Sequence, residues 1–305
     1  MPEGDSIRRL AARLDAAFAG ATVARSTFRT PRLATVDLTG RTLVGAGSAG
    51  KNLLLRFDDG STLAVHLLMQ GRIVLGRAPV EPWRRRFEID FAHPPGGRCT
   101  GVDVPRLELV PTASEGDVIG HLGPDACGAY EHELAVQNLL AVGSAPLGGA
   151  LLDQRVVAGL GNIYAVEAPF ICGVDPRAPV GAIGDPAAIL AVAVALIRTN
   201  AWLGPQNTTG RRMERSDHWV LDGRIRECRC CGSDLVRLAE HETPWQRRTA
   251  ICPECQAGEV VDPDRVRRLL ALHPARRLLD VERLTLVADT SEPVVPRLST
   301  RRAQP

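Results

Sequence analysis

Lysine is almost absent from this chain. Of 37 lysines and arginines in 305 residues only Lys51 is a lysine, in the stretch GSAGKNLLLRF. A nucleotide-composition bias explains a preference for arginine. It does not explain why one lysine persists, and a compact, flexible ammonium is not interchangeable with a planar guanidinium where an anion must be reached. Also missing is any apolar run approaching the roughly 20 residues of a membrane span. The first fourteen residues, MPEGDSIRRLAARL, are charged where a secretory signal would be apolar, so a cytoplasmic protein is expected. Strong net charge is lacking too: at +2 the sum does not announce a nucleic-acid partner. What remains is ordinary, with 45% hydrophobic and 24% charged residues, enough for a folded core in a chain long enough for two or three domains.

Residues 21–120 are built of short alternating runs such as ATVARSTF, GRIVLG, RFEIDFA and RLELV, separated by turn signals such as DDG. That pattern predicts an all-β sandwich or barrel of about eight strands carrying the first helix on its edge, a domain over 1–122. Between 130 and 202 the periodicity becomes helical, in YEHELAVQNLLAVG and DPAAILAVAVALIRTNAWLG, giving a compact helical domain over 130–215. A polar, arginine-rich connector covers 203–220. The cysteine-bearing segment spans 221–256, and a tail over 257–305 reads as part helical (PDRVRRLLALHPARRLLDVERL) and part disordered. The fold class is therefore multidomain α+β.

Four of the eight cysteines form two C-x-x-C pairs, Cys228 with Cys231 and Cys252 with Cys255. Two such turns supply four thiolates for one tetrahedral, structural Zn2+, and the stretch between them suits a β-hairpin. Cys230 breaks the register, and Cys99, Cys127 and Cys172 read as small buried hydrophobes. In TPWQRRTAIC, Arg247 and Arg248 lie on the strand leading into the second pair.

Two further stretches carry chemistry. AGLGNIYAVE (158–167) is a glycine-bounded turn entering a helix, where exposed backbone N–H groups and the helix dipole suit a phosphate and Asn162 adds a donor; a plain packing turn explains the same residues. At the start, removal of Met1 leaves Pro2 as a secondary amine. An α-amino pKa near 8 against about 10.4 for lysine gives it on the order of a hundredfold more free base at neutral pH. Such an amine can attack a sugar C1′ to form an iminium ion, with Glu3 as the adjacent proton shuttle. The competing reading is structural: proline and early acids simply start a helix whose apolar stripe is Ile7, Leu10, Leu14 and Phe18 and whose end is Gly20.

Taken together, MPEG at the start, GK at 50–51, LLDQRVVAGLGNIYAVE at 151–167 and RRTAICPECQ resemble the formamidopyrimidine-DNA glycosylase/endonuclease VIII family of base-excision repair enzymes, over residues 1–256. The resemblance implies an N-terminal β-sandwich with its helix, a helix-two-turn-helix domain and a C-terminal β-hairpin zinc finger. It implies that Pro2 forms a Schiff base with C1′ of the damaged nucleotide and that Glu3 handles the proton at the ring oxygen. Lys51 would contact phosphate at the lesion, Asn162 and Arg247 would grip the flanking phosphates, and Met69 would fill the gap left by the flipped nucleotide. The implied partner is double-stranded DNA with damaged bases or abasic sites, bound by a monomer and nicked by β,δ-elimination. Departures are visible: Ser6 stands where many relatives have glutamate, and Gly148 where many formamidopyrimidine-type members have a nearby lysine. The finger hairpin is long, and VPRLEL offers only Arg106 and Leu107 for the usual Arg–Phe pair. The start, the short connector and the missing pair favour the endonuclease VIII branch and oxidised pyrimidines, with oxidised purines as the alternative. A zinc protein that binds damaged DNA without cutting it is the reading from a different class. The tail lies outside the resemblance and is expected to be a solvated helix followed by disorder.

Overall fold

The structure, a computed structural model, describes residues 2–92, 96–211 and 217–287. Met1 and the Pro/Ser/Arg end of the tail lie outside the described residues. The chain opens with helix α1, Gly4–Phe18, whose Ile7, Ala11, Leu14 and Phe18 are buried and whose exit is a left-handed Gly20 at φ +80°. Eight antiparallel strands follow in two four-stranded sheets. One sheet orders β2 (Leu43–Ala49), β3 (Asn52–Phe57), β4 (Ser61–His66) and β8 (Arg106–Pro111); the other orders β1 (Val23–Phe28), β6 (Arg85–Phe91), β7 (Gly97–Val102) and β5 (Arg72–Leu75).

In β6, Phe87, Ile89 and Phe91 point inward by strict alternation, while the central strands β3 and β4 are buried almost continuously. Between those two, Gly60 adopts φ +76° in the DDG turn. Phe18 stacks on Phe91 at 4.3 Å, which joins α1 to the apolar filling of the sandwich.

After a single helical turn, α2 (Gly116–Ile119), the chain enters a second core built by α3 (His132–Ala141), α4 (Leu147–Leu152), α5 (Asn162–Cys172) and α6 (Pro186–Leu203). Helix α6 begins where Asp185 accepts from Ala188 N at 3.0 Å with Pro186 in the first turn. Contrary to the expectation of no long apolar run, α6 at 18 residues is long and apolar enough to cross a membrane. It is instead the central strut of the domain, with nearly all of its surface covered by protein.

The connector after α6 returns across α5, where the buried carboxylate of Glu167 collects it. Oε2 accepts from Thr208 Oγ1 at 2.5 Å and Trp219 N at 2.7 Å; Oε1 accepts from Val220 N at 3.0 Å and Leu221 N at 2.9 Å. The finger is a hairpin of β9 (Val236–Leu238) and β10 (Thr249–Ile251).

The tail departs from its expected solvated state. Helix α7 (Pro263–Leu269) and the small β11/β12 pair (Leu279–Asp280, Thr285–Leu286) bury Val266, Leu269, Leu270, Ala275, Leu279 and Leu284 in the helical core. Arg265 Nε donates to Phe170 O at 3.0 Å, with its guanidinium 4.6 Å over the Phe170 ring. Helix α7 packs on α5 and the segment after it, 274–286, on α6, and removing their apolar side chains from water is what docks the tail. Of the scattered cysteines, Cys99 and Cys172 are buried and Cys127 is half-buried.

Candidate active site

The N-terminal segment is clamped onto the loop before α5. Gly4 N donates to Gly159 O at 3.0 Å, and a Cβ on Gly4 would lie 2.8 Å from the Gly159 Cα, so only glycine permits this approach. Directly before it, the Glu3 side chain is completely buried and its Oε1 accepts from Ile163 N at 3.0 Å. The glycine turn that reads as a phosphate cradle thus holds an anion belonging to the protein. The helix-terminal N–H is taken by the Glu3 carboxylate, and a Cβ on Gly161 would stand 2.3 Å from that carboxyl carbon. Glu3 Oε2, equally buried, has no hydrogen-bond partner. Burial raises the Glu3 pKa to about 7 against the opposing pull of Lys51 and the Ile163 N–H, and the Asp5 charge adds to the rise. A carboxyl poised near neutrality with one free oxygen can both give and take a proton.

Lys51 is held on the tip of the β2–β3 hairpin. Gly50 is left-handed at φ +54°, its N–H donates to Asp125 Oδ2 at 3.0 Å, and a Cβ there would meet Ala158 at 3.2 Å. The same glycine-rich loop therefore seats both the N-terminus and the lysine hairpin, and Gln154 braces it by accepting from Gly159 N at 3.0 Å while donating to Leu160 O at 3.0 Å. Burial lowers the Lys51 pKa, Glu3 raises it and Arg247 lowers it.

Pro2, Lys51, Met69 and Arg247 line one cleft of about 420 Å3 between the sandwich, α4 and the finger. Glu3 sits at the root of that N-terminal segment. Arg247 faces the cleft with Nη1 on Gln246 O at 2.7 Å, whereas Arg248 points to solvent, 3.8 Å from Glu240. Asn162 is outside the cleft lining and reaches the finger: Nδ2 donates to Arg248 O at 2.9 Å, and its Oδ1 is buried without a partner. Met69 is exposed at the tip after β4, beside an exposed Leu68 with φ +46°. Leu107 is buried in the sandwich core, because the β4/β8 register pairs His66 with Arg106 and turns the next side chain inward.

Among the lining residues not singled out from sequence are His66 and Trp245. His66 ends β4 three residues before Met69; its Nδ1 accepts from Leu68 N at 3.1 Å, and burial together with the charges of Arg106 and Lys51 lowers its pKa to about 4, so it is neutral. Trp245 lies over the glycine pair of α4, where a Cβ on Gly148 would be 2.9 Å from its ring. The signals were the adjacency of His66 to the Met69 tip and the Gly148–Gly149 pair itself.

In the finger, Cys228 and Cys255 sulfurs are 3.8 Å apart, those of Cys231 and Cys252 3.4 Å, and all four lie within 4.8 Å of one another. Tetrahedral thiolates at about 2.3 Å from a zinc are about 3.8 Å apart, so this quartet fits a metal ion. Cys230 is exposed and not one of the four, and its N–H donates to Cys228 Sγ at 3.4 Å.

A buried carboxyl raised to about 7 at the root of the Pro2 segment thus stands beside a cleft that Lys51 and Arg247 line and that the cysteine-bearing finger borders, an arrangement suited to proton transfer next to two cations. Residues 1–108 match the formamidopyrimidine-DNA glycosylase N-terminal domain and residues 122–199 its H2TH domain. The chain is 41% identical over 269 residues to the probable endonuclease 8 2 of Streptomyces coelicolor, covering 86% of this chain and 96% of that protein. With a DNA-(apurinic or apyrimidinic site) lyase of Mycolicibacterium smegmatis it shares 37% identity over 259 residues, 85% of this chain and all of that one. A Lactococcus lactis formamidopyrimidine-DNA glycosylase solved on DNA containing an AP site has the same fold, at TM-score 0.70 and 23% identity over 84% of this chain and 100% of that one. The chain belongs to the formamidopyrimidine-DNA glycosylase/endonuclease VIII family of base-excision repair glycosylases and AP lyases.

Proposed function

We propose that this protein excises oxidised pyrimidines from double-stranded DNA and nicks the strand at the resulting site, acting as a monomer. The observation that carries the chemistry is the unpartnered, buried Glu3 oxygen at the base of the Pro2 segment. The Pro2 nitrogen attacks C1′ and the base departs with the electron pair of the glycosidic bond. Glu3 gives its proton to the ring oxygen as the C1′–O bond opens, and the amine loses its own proton to leave the iminium. Loss of a C2′ proton then expels the 3′ phosphate, a second elimination expels the 5′ phosphate, and hydrolysis returns the amine.

Around this centre Lys51 and Arg247, both lining one cleft, supply phosphate contacts, and Met69 supplies an exposed apolar tip able to enter the stack. A Zn2+ held by Cys228, Cys231, Cys252 and Cys255 would keep the β9–β10 hairpin rigid and so hold Arg247 at the cleft. The endonuclease 8 names of relatives that match nearly their whole length favour pyrimidine lesions.

Borohydride trapping on an abasic duplex tests the mechanism: a covalent adduct is expected with the mature chain and lost in Pro2→Gly. An adduct that persists in Pro2→Gly defeats it. On duplexes carrying thymine glycol, 5-hydroxyuracil or 8-oxoguanine, fastest cutting of 8-oxoguanine opposite cytosine would move the protein to the purine branch.

A further inference from the structure

Two residues beyond Glu3 stands a second carboxylate that the mechanism above does not use. Asp5 is fully buried at the start of α1, at the junction of both domains and the connector. Its Oδ2 accepts from Tyr164 OH at 3.1 Å, and its Oδ1 accepts from Gln206 Nε2 at 3.0 Å and Ser6 Oγ at 3.3 Å. Asn200 Nδ2 donates to the same Tyr164 oxygen at 2.9 Å, and Asn200 Oδ1 accepts from Asn207 N at 3.2 Å. Because Gln206 and Asn207 are neighbours in the chain, these bonds close a ring from α1 through α5 and α6 into the connector and back to α1. Arg9 adds a second tie, pairing with Asp5 at 3.5 Å and donating to the Asn200 carbonyl.

We propose that Asp5 is a positioning residue for the reaction, its carboxylate registering the connector on the N-terminal segment and fixing where Pro2 and Glu3 stand. This rests on the reading of Pro2 and Glu3 as the reacting groups. Ring closure is the first argument: one buried carboxylate collects donors from α1, α5 and the connector at the root of the Pro2 segment. Direction is the second. Burial holds the Tyr164 phenol above its ordinary pKa, and the Asp5 and Glu3 charges add to this, so Tyr164 is a neutral donor and Asp5 the acceptor. Charge is the third. Glu3 is faced by Lys51 from the β2–β3 turn, by Tyr164 from α5 and by Asp5 from its own segment; of these, Asp5 is the negative charge that favours its protonated form. Asp5 is itself faced by Arg9 on α1 and Tyr164 on α5, with Cys127 nearby.

The test compares Asp5→Asn, Gln206→Ala and wild type on an oxidised-pyrimidine duplex and on a pre-formed abasic duplex. Asp5→Asn should lower the single-turnover excision rate about 10- to 100-fold, leave the Kd for abasic duplex within about threefold, and move the alkaline limb of the rate profile to lower pH, because Glu3 loses the charge that keeps it protonated. Gln206→Ala should lower the rate less and leave the limb in place, since it removes a tie and no charge; this variant keeps the test open if Asp5→Asn folds poorly. Wild-type rate and limb in Asp5→Asn, or equal limb shifts in both variants, would overturn the role of Asp5. A wild-type chain that neither traps nor cuts would instead overturn the function on which it rests.

Discussion

Glu3 and Glu167 are both completely buried, both lie along α5, and they do opposite things. Glu167, in the middle of the helix, receives two donors on each oxygen, so its charge is matched and the connector is pinned. Glu3, at the N-terminus of the same helix, receives one donor on one oxygen and leaves the other bare under the Pro2 segment. Filled coordination makes a carboxylate a peg. Half-filled coordination, in a buried site, makes it a proton carrier, because neither protonation state is fully satisfied.

Substitution of each carboxylate separates the two roles most strongly. Glu3→Gln should cut base excision by about 10²- to 10⁴-fold with the fold intact, as expected for loss of a general acid. Glu167→Ala should do the reverse: four donors lose their acceptor, stability falls by at least about 3 kcal/mol in denaturant titration, and the folded fraction still traps abasic DNA. Comparable loss of both properties in either variant would erase the distinction.

A smaller effect follows from the protonation of Glu3. Its carboxyl titrates near 7 in the folded chain against an ordinary value of 4.5. A carboxyl with a raised folded pKa favours folding fully below pH 4.5 and loses that contribution as pH rises through 7. At about 1.4 kcal/mol per unit the loss is on the order of 3 kcal/mol. Glu3→Gln should therefore match wild-type stability near pH 4 and exceed it by up to about that amount at pH 8. A constant difference across this range would mean that the carboxyl is not held neutral by burial.

Much of this was legible in the sequence, and the exceptions share a cause. The C-x-x-C pairs, the strand alternation and the single lysine are local signals, and the local structure obeys them. The acceptor at the α5 N-terminus was not legible, because a glycine turn advertises an anion site without saying whether the anion is a ligand's or the protein's own Glu3. Glu167 and Asp5 were illegible because decisive donors lie far along the chain: Thr208 and residues 219–221 for Glu167, Tyr164 and Gln206 for Asp5. The tail looked solvated because its arginines dominate the reading, yet α7 packs on α5 and the turn after it on α6, burying Val266, Leu269, Leu270 and Ala275. The inward turn of Leu107 depends on the β4/β8 register, which composition does not fix.

The finest test of the Glu3 half of the comparison lies in the glycine beneath it. An alanine at 161 would place its Cβ 2.3 Å from the Glu3 carboxyl carbon, so Gly161→Ala must displace that carboxyl from the Ile163 N–H and from the Pro2 segment. Overpacking of this kind costs about 1–3 kcal/mol of stability, while displacement of about 1 Å at a reacting group can cost up to about 10²-fold in rate. The two effects part company in a double-mutant cycle. If the rate loss acts through Glu3, adding Gly161→Ala to Glu3→Gln lowers excision no further than Glu3→Gln alone, since the proton it misplaces is already gone. If instead the losses multiply, Gly161 acts on the Pro2 amine or the DNA contacts directly, and the free oxygen of Glu3 is not the group that the turn exists to aim.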